Sequence, residues 1–206
     1  MKIGIIGAGN IGTYLGKIWA AKGHQILFSY GRDKAYLQSL AESIGLNARA
    51  GTPTDAVKFG DVVMITVPSE AVENALSSVG SLANKIILCC PIPTKLDRNL
   101  LEVGESVAEK ITQLAPSAKV VGCLFYFPEF LCRNQHNVLN QSFAGYYCGN
   151  DIKAKVIAEE LIEHLGLDPV DIGELENSSY LEIQNWFVSQ KFHMMDKKAE
   201  IILHLN

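Results

Sequence analysis

Hydrophobic residues follow two alternating rhythms along this chain. Short, nearly unbroken apolar runs fill Lys2 to Ile6, Gln25 to Phe28, Asp61 to Val67 and Lys85 to Cys90. Runs of that kind are strands buried on both faces, as in parallel sheets. Pro68 and Pro91 close the last two. Between and after them, apolar residues fall at helical spacing. Ile11, Leu15, Ile18 and Trp19 mark a helix from Asn10 to Lys22, which Gly23 stops. Leu37, Leu40 and Ala41 mark a second, capped by Asp33 and running through Ser43 to a stop at Gly45. Thr54 to Phe59, Glu70 to Val79, Glu105 to Leu114 and Ile152 to Leu165 read as further helices. Asn47 to Ala50, Ala118 to Phe125, Phe143 to Cys148 and Asp168 to Ile172 read as further strands. Strands and helices alternating over short connections predict an α/β fold, a doubly wound and mainly parallel sheet.

The rhythm changes at Glu174. Two helix-like runs follow, Ser178 to Gln190 and Phe192 to Leu205, with Tyr180, Ile183, Trp186 and Phe187 on one face. The expected division is a nucleotide-binding domain over residues 1–173 and a short C-terminal helical extension over residues 174–206. That extension either covers the site or pairs with a second copy of the chain, as a homodimer. Pro91 to Gly104 is the least regular stretch and reads as a loop beside the carboxyl end of the sheet.

Composition narrows the partners. The chain has 206 residues, enough for one well-buried domain. Its net charge of -4 argues against nucleic acid, whose phosphates call for clustered Lys and Arg. No run of about 18 apolar residues exists, so no membrane span is expected. The apolar start is too short and too rich in glycine for a signal peptide. The five cysteines (Cys89, Cys90, Cys123, Cys132 and Cys148) form no C-x-x-C pair and mostly lie in strand-like runs. They read as reduced, buried thiols of a cytoplasmic protein.

The candidate chemistry begins at Gly7-Ala8-Gly9-Asn10-Ile11-Gly12, a G-x-G-x-x-G turn that follows a strand and opens a helix. That context makes it a Rossmann-type dinucleotide turn. Gly7 permits the turn, Gly9 lets a pyrophosphate approach the backbone, and Gly12 lets the helix close on the strand. N–H groups at the helix start then face the phosphates. The residue ending the second strand separates NAD from NADP. NAD sites place an acid there; here it is Ser29, followed by Tyr30, Arg32 and Lys34. Asp33 lies 21 residues past Gly12 but beyond the strand end, where it serves as a helix cap. A guanidinium at Arg32 suits a 2′-phosphate, so the nucleotide is expected to be NADP(H).

At the nicotinamide end the strand edge offers Val67-Pro68, Cys90-Pro91 and Phe125-Tyr126-Phe127. Cys90 either touches the nicotinamide or is a small buried hydrophobe. Phe125, Tyr126 and Phe127 either form a stacking wall for a second ring or end a strand as core aromatics. No Ser-Tyr-Lys, Lys-Asp or His-Asp arrangement reads as an acid–base pair, and no Cys/His/acid spacing suggests a metal site. His193 alone among the five histidines falls near a plausible active-site tail, and no catalytic residue is assigned. Hydride transfer between two redox cofactors suits this inventory, because binding and orientation are most of the protein's part in it. A non-catalytic NADP-sensing protein and a reductase of a small carbonyl or imine are the alternatives.

Several of these segments together resemble a known family. They are M-K-I-G-I-I-G-A-G-N-I-G at the start, S-x-x-R from Ser29 to Arg32, D-V-V-x-x-x-V-P from Asp61 to Pro68, and G-L-D-P-V-D-I-G from Gly166 to Gly173. The set resembles the coenzyme F-420-dependent NADP oxidoreductases, and is similar to the reductase domains of six-transmembrane metalloreductases. The resemblance implies NADPH held by Gly7, Gly9, Asn10, Ile11 and Gly12, with the 2′-phosphate at Ser29 and Arg32. It places the nicotinamide by Val67, Pro68 and Pro91, and implies F-420 or a flavin as the second substrate. Cys90-Pro91 stands where members of the group often carry Asn-Pro, and Gly122 to Phe125 where they often carry K-A-F-N.

Overall fold

The computed structural model describes residues 1–31, 33–77, 79–90, 106–125 and 143–194. Among these residues, eight strands form one sheet in the order β3-β2-β1-β4-β5-β6-β7-β8. They are β1 (Lys2–Ile6), β2 (Gln25–Ser29), β3 (Ala48–Ala50), β4 (Val62–Ile65), β5 (Ile86–Cys89), β6 (Lys119–Phe125), β7 (Ala144–Gly149) and β8 (Asp168–Asp171). The helices are α1 (Asn10–Ala21), α2 (Lys34–Ile44), α3 (Pro53–Phe59), α4 (Val72–Leu76), α5 (Val107–Leu114), α6 (Ile152–His164) and α7 (Ser178–Met194). β1 is an interior strand, pairing in parallel with β2 on one side and with β4 on the other. All of β4 is buried, as its unbroken apolar run requires.

Handedness decides which face each helix covers. Crossovers between parallel strands are right-handed. The chain moves one way from β1 to β3, then turns back past β1 to β4 and on to β6. The two directions place α1 and α2 on one face and α3, α4 and α5 on the other, and two buried clusters form, one under each set. β7 runs antiparallel to β6, so the sheet is parallel except at this one junction. With the strand direction reversed, the right-handed β7–α6–β8 unit puts α6 on the face of α1. There the Trp19 indole N–H donates to the Leu161 carbonyl at 2.9 Å.

α7 differs from the expected pair of helices. It runs unbroken through Gln190 to Phe192, and residues 195–206 of the second expected run lie outside the described residues. It packs on β6, β7 and α5. Tyr180 and Phe187 remain exposed, and Ile183 and Trp186 are half-buried. The inward residues are Ser178, Leu181 and Glu182, two of them polar. Glu182 accepts hydrogen bonds from the N–H groups of Val107 (3.0 Å) and Ala108 (3.2 Å), at the start of α5. The Ser106 and Ser178 hydroxyls meet at 2.6 Å, and Ser106 also caps α5 in a reciprocal box with Glu109. A buried carboxylate therefore fastens α7 to a helix N-terminus, where negative charge is favoured.

Burial outweighs those two hydrogen bonds and pushes the Glu182 carboxyl up to about 7, with the Glu109 charge adding to the rise. The folded state thus binds this proton more tightly than the unfolded state. The resulting stabilisation is complete below the unfolded value of 4.5 and is lost as pH rises to about 7. Glu182→Gln removes this dependence. Measured by urea denaturation at pH 5 and pH 8, the variant should gain on the wild type by up to about 3 kcal/mol at the higher pH. An equal difference at both pH values would mean that Glu182 ionises freely in the fold.

Candidate functional site

The glycine turn sits at the carboxyl end of β1, at the point where the strand order reverses. Gly7 has φ +116°, a conformation that L side chains rarely adopt. Its N–H donates to the Ser29 carbonyl at 3.0 Å, and that of Ala8 donates to the Tyr30 carbonyl at 3.3 Å. Gly9 is the N-cap of α1, with extended backbone and no side chain to cap the helix. A Cβ built on Gly9 meets no atom of the described residues within 4 Å. The helix therefore opens on free space, with the first-turn N–H groups of Asn10, Ile11 and Gly12 at its mouth. Backbone donors, a favourable dipole of about 0.3–1 kcal/mol per charge and an empty approach are what a pyrophosphate requires.

The back of the turn is closed by contact. A Cβ on Gly12 would strike the Gly7 carbonyl oxygen and come within 2.6 Å of Thr66 Oγ1. Thr66, just past β4, donates its hydroxyl to that same Gly7 carbonyl at 2.7 Å. Thr66 thus pins the turn across the β1–β4 junction. Its signal in the sequence is a single hydroxyl within the apolar run from Val62 to Val67, and the pattern of that run hides it. Thr13 adds a second brace, donating to the Ala8 carbonyl at 3.3 Å.

The end of β2 is placed as expected, but its serine is used differently. Ser29 is fully buried, and its hydroxyl donates inward to the Ile5 carbonyl at 2.8 Å. It is turned away from any 2′-phosphate, because the sheet supplies its partner. What it contributes to the site is the lack of a carboxylate. Tyr30 adopts φ +52°, and its hydroxyl accepts from the Asn74 side-chain amide at 3.3 Å. Left-handed backbone at a non-glycine residue is concentrated where a site demands it. The Asp33 carboxylate accepts from the Tyr36 N–H at 2.7 Å, which makes it the cap of α2. Lys34 is exposed in the first turn of that helix. Arg32 lies outside the described residues.

At the far end, Val67 is buried and Pro68 exposed beside it. Cys90 and Phe125 are 2% and 5% exposed and share the core cluster on the α1 face. Burial pushes the Cys90 thiol up to about 12. Both fill the core, because their strands are buried on that face. Burial likewise raises the thiols of Cys89 and Cys123. Pro91, Tyr126 and Phe127 lie outside the described residues, as do His136 and His204. No helix among the described residues is long and apolar enough to cross a membrane.

Comparison with known proteins follows the same outline. Residues 2–91 match the family described as NADP oxidoreductase, coenzyme F420-dependent, which agrees with the resemblance read from the motifs. The metalloreductase STEAP3 of Rattus norvegicus is 24% identical over 88% of this chain and 36% of its own length. A glycerol-3-phosphate dehydrogenase [NAD(P)+] of Brucella ovis is 30% identical over 59% of this chain and 46% of its own. The chain therefore spans less than half the length of these curated relatives. Among solved structures, one described as an F420-dependent NADP-reductase from Arthrobacter sp. FB24 superimposes with TM-score 0.76 at 19% identity, covering 94% of each chain. A reductive aminase from Aspergillus terreus in complex with NADPH4 gives TM-score 0.68 at 18% identity over 93% of this chain and 61% of its own. At these identities the likeness is one of fold.

The geometry of the turn generates two expectations. Gly9→Val keeps an allowed backbone and meets no atom of the described residues, so its melting temperature should match that of the wild type. Its affinity for NADPH should fall more than about a hundredfold, near 3 kcal/mol, when measured by calorimetry. Thr66→Val keeps the shape of the brace but leaves the Gly7 carbonyl without its hydroxyl partner. It should lose about 1 kcal/mol of stability and bind NADPH a few-fold more weakly. Unchanged binding in both variants would remove the turn from the site.

Proposed function

We propose that this chain is an NADP(H)-dependent oxidoreductase that passes hydride between NADPH and a flat, conjugated acceptor of the deazaflavin or flavin class. The observation that carries the reading is the uncapped start of α1, with no atom of the described residues crowding Gly9 at the reversal of the sheet. An end of β2 with no free carboxylate favours the 2′-phosphate, since an acid there would repel it. Arg32 and Lys34 are the cations that would pair with that phosphate. The family matched by residues 2–91 supports both the nucleotide and the class of acceptor.

The chemistry at the strand edge supports the flat acceptor. From Thr66 to Pro68, at Cys89-Cys90 and at Phe125 there is no carboxylate, imidazole or amine. The two thiols there are buried and hold their protons. Reduction of a small carbonyl draws about 10²–10⁴ in rate from a positioned proton donor. Hydride transfer between two rings needs chiefly that the reacting carbons be held about 3–3.5 Å apart.

Two measurements test this function. NADPH should bind more tightly than NADH, and Arg32→Ala should weaken NADPH about ten- to a hundredfold while leaving NADH nearly unchanged. Equal affinity for both nucleotides in the wild type would overturn the NADP assignment. NADPH oxidation should then be followed with F-420, free flavins, quinones, imines and small carbonyls. Turnover with F-420 or a flavin is expected. Turnover confined to an imine or a carbonyl would overturn the acceptor class, and binding without turnover would make the protein a nucleotide sensor.

A further inference from the structure

A second cluster of functional groups lies on the opposite edge of the sheet. His24 immediately precedes β2, at the amino end of the strands, and is 4% exposed. Its Nε2 lies 2.9 Å from Nδ1 of His164, at the end of α6, with the two rings tilted by 57°. Glu160 stands one turn before His164 on the same helix. The ligand atoms of the three side chains all lie within 4.8 Å of one another. Histidines so far apart in sequence leave no spacing motif, which is why the sequence suggests no metal site here.

We propose that His24, Glu160 and His164 form a binding site for one divalent transition-metal ion of the Zn²⁺ class. Two imidazole nitrogens and a carboxylate oxygen are a common ligand set for such an ion, with an open position left for water. A tetrahedral ion with bonds of about 2.0–2.2 Å holds its donors about 3.3 Å apart. The His24–His164 separation needs only a small widening to reach that value. Neutral imidazole is the ligating form of both rings. Half-exposed His164 and exposed Glu160 give the ion a route from solvent.

The Met1 amine lies 3.3 Å from His24 Nδ1, so as an ammonium it donates there and Nε2 carries the ring proton toward His164. Coordination at Nε2 displaces that proton. The Nε2 proton goes to solvent and the ammonium passes one proton to Nδ1, so the ring stays neutral, the amine is left uncharged and one proton is released for each ion bound. The bound ion would join the start of β2 to the end of α6, and so tie the first half of the chain to the second. It stands at the edge opposite the glycine turn, so its role is structural.

The test uses the full chain, titrated with Co²⁺ and then with Zn²⁺. One equivalent of Co²⁺ should give tetrahedral d–d absorption without a thiolate charge-transfer band. Zn²⁺ at a hundredfold excess over its Kd should raise Tm by about 5–10 °C. His164→Gln should lose the spectrum and the shift while keeping its metal-free Tm and its NADPH affinity. Glu160→Gln should weaken the metal at least about tenfold with the same controls. A charge-transfer band, no saturation at one equivalent, or a spectrum that persists in His164→Gln would overturn the site.

Discussion

The handedness of a crossover between parallel strands is the constraint from which this molecule follows. A right-twisted strand feeding a right-handed helix returns to the sheet in one sense only. Given the strand order, that sense fixes which helices share a face and where the carboxyl edge splits open between β1 and β4. The glycine turn lies at this split because the chain reverses its direction of travel there. The same rule acts again after the antiparallel junction of β6 and β7. It brings α6 across to α1, and so brings His164 to His24 and Leu161 to Trp19.

Within that frame, the proposed nucleotide site is made mostly of backbone and of missing side chains. Gly7 supplies a conformation, Gly9 supplies room and Gly12 supplies contact. Thr66 converts the loose consequence of three glycines into one geometry, by holding the Gly7 carbonyl from the neighbouring strand. Ser29 acts in the opposite sense to a ligand: it spends its hydroxyl on Ile5 and leaves the end of β2 without charge. The buried edge beyond, at Cys90 and Phe125, is shaped but chemically quiet.

Periodicity made most of the fold legible, because the central strands are buried on both faces and the helices show one apolar side. Asp33, Gly23, Gly45 and Gly166 were readable as caps and stops, since capping is chemistry between near neighbours in sequence. Residues acting across the fold were not readable. Thr66 sits in an apolar run, and Glu182 on a helix whose aromatic residues catch attention while its polar face turns inward. Ser29 was readable as a non-acid, but nothing local announces that its hydroxyl points to Ile5. Cys90 and Phe125 are ambiguous in sequence because a strand end can face either a ligand or the core; here the core cluster claims both.

The hydrogen bond from Trp19 to Leu161 also bears on the order in which the chain can mature. Its two partners are 142 residues apart, and Trp19 is fully buried in the finished fold. On a ribosome adding about 5–20 residues per second, the indole waits roughly 7–28 seconds for its acceptor. During that interval the first βα units can pair, yet one face of α1 is still without α6. The nascent chain therefore carries a period of exposed apolar surface, set by the distance along the sequence between β1 and α6.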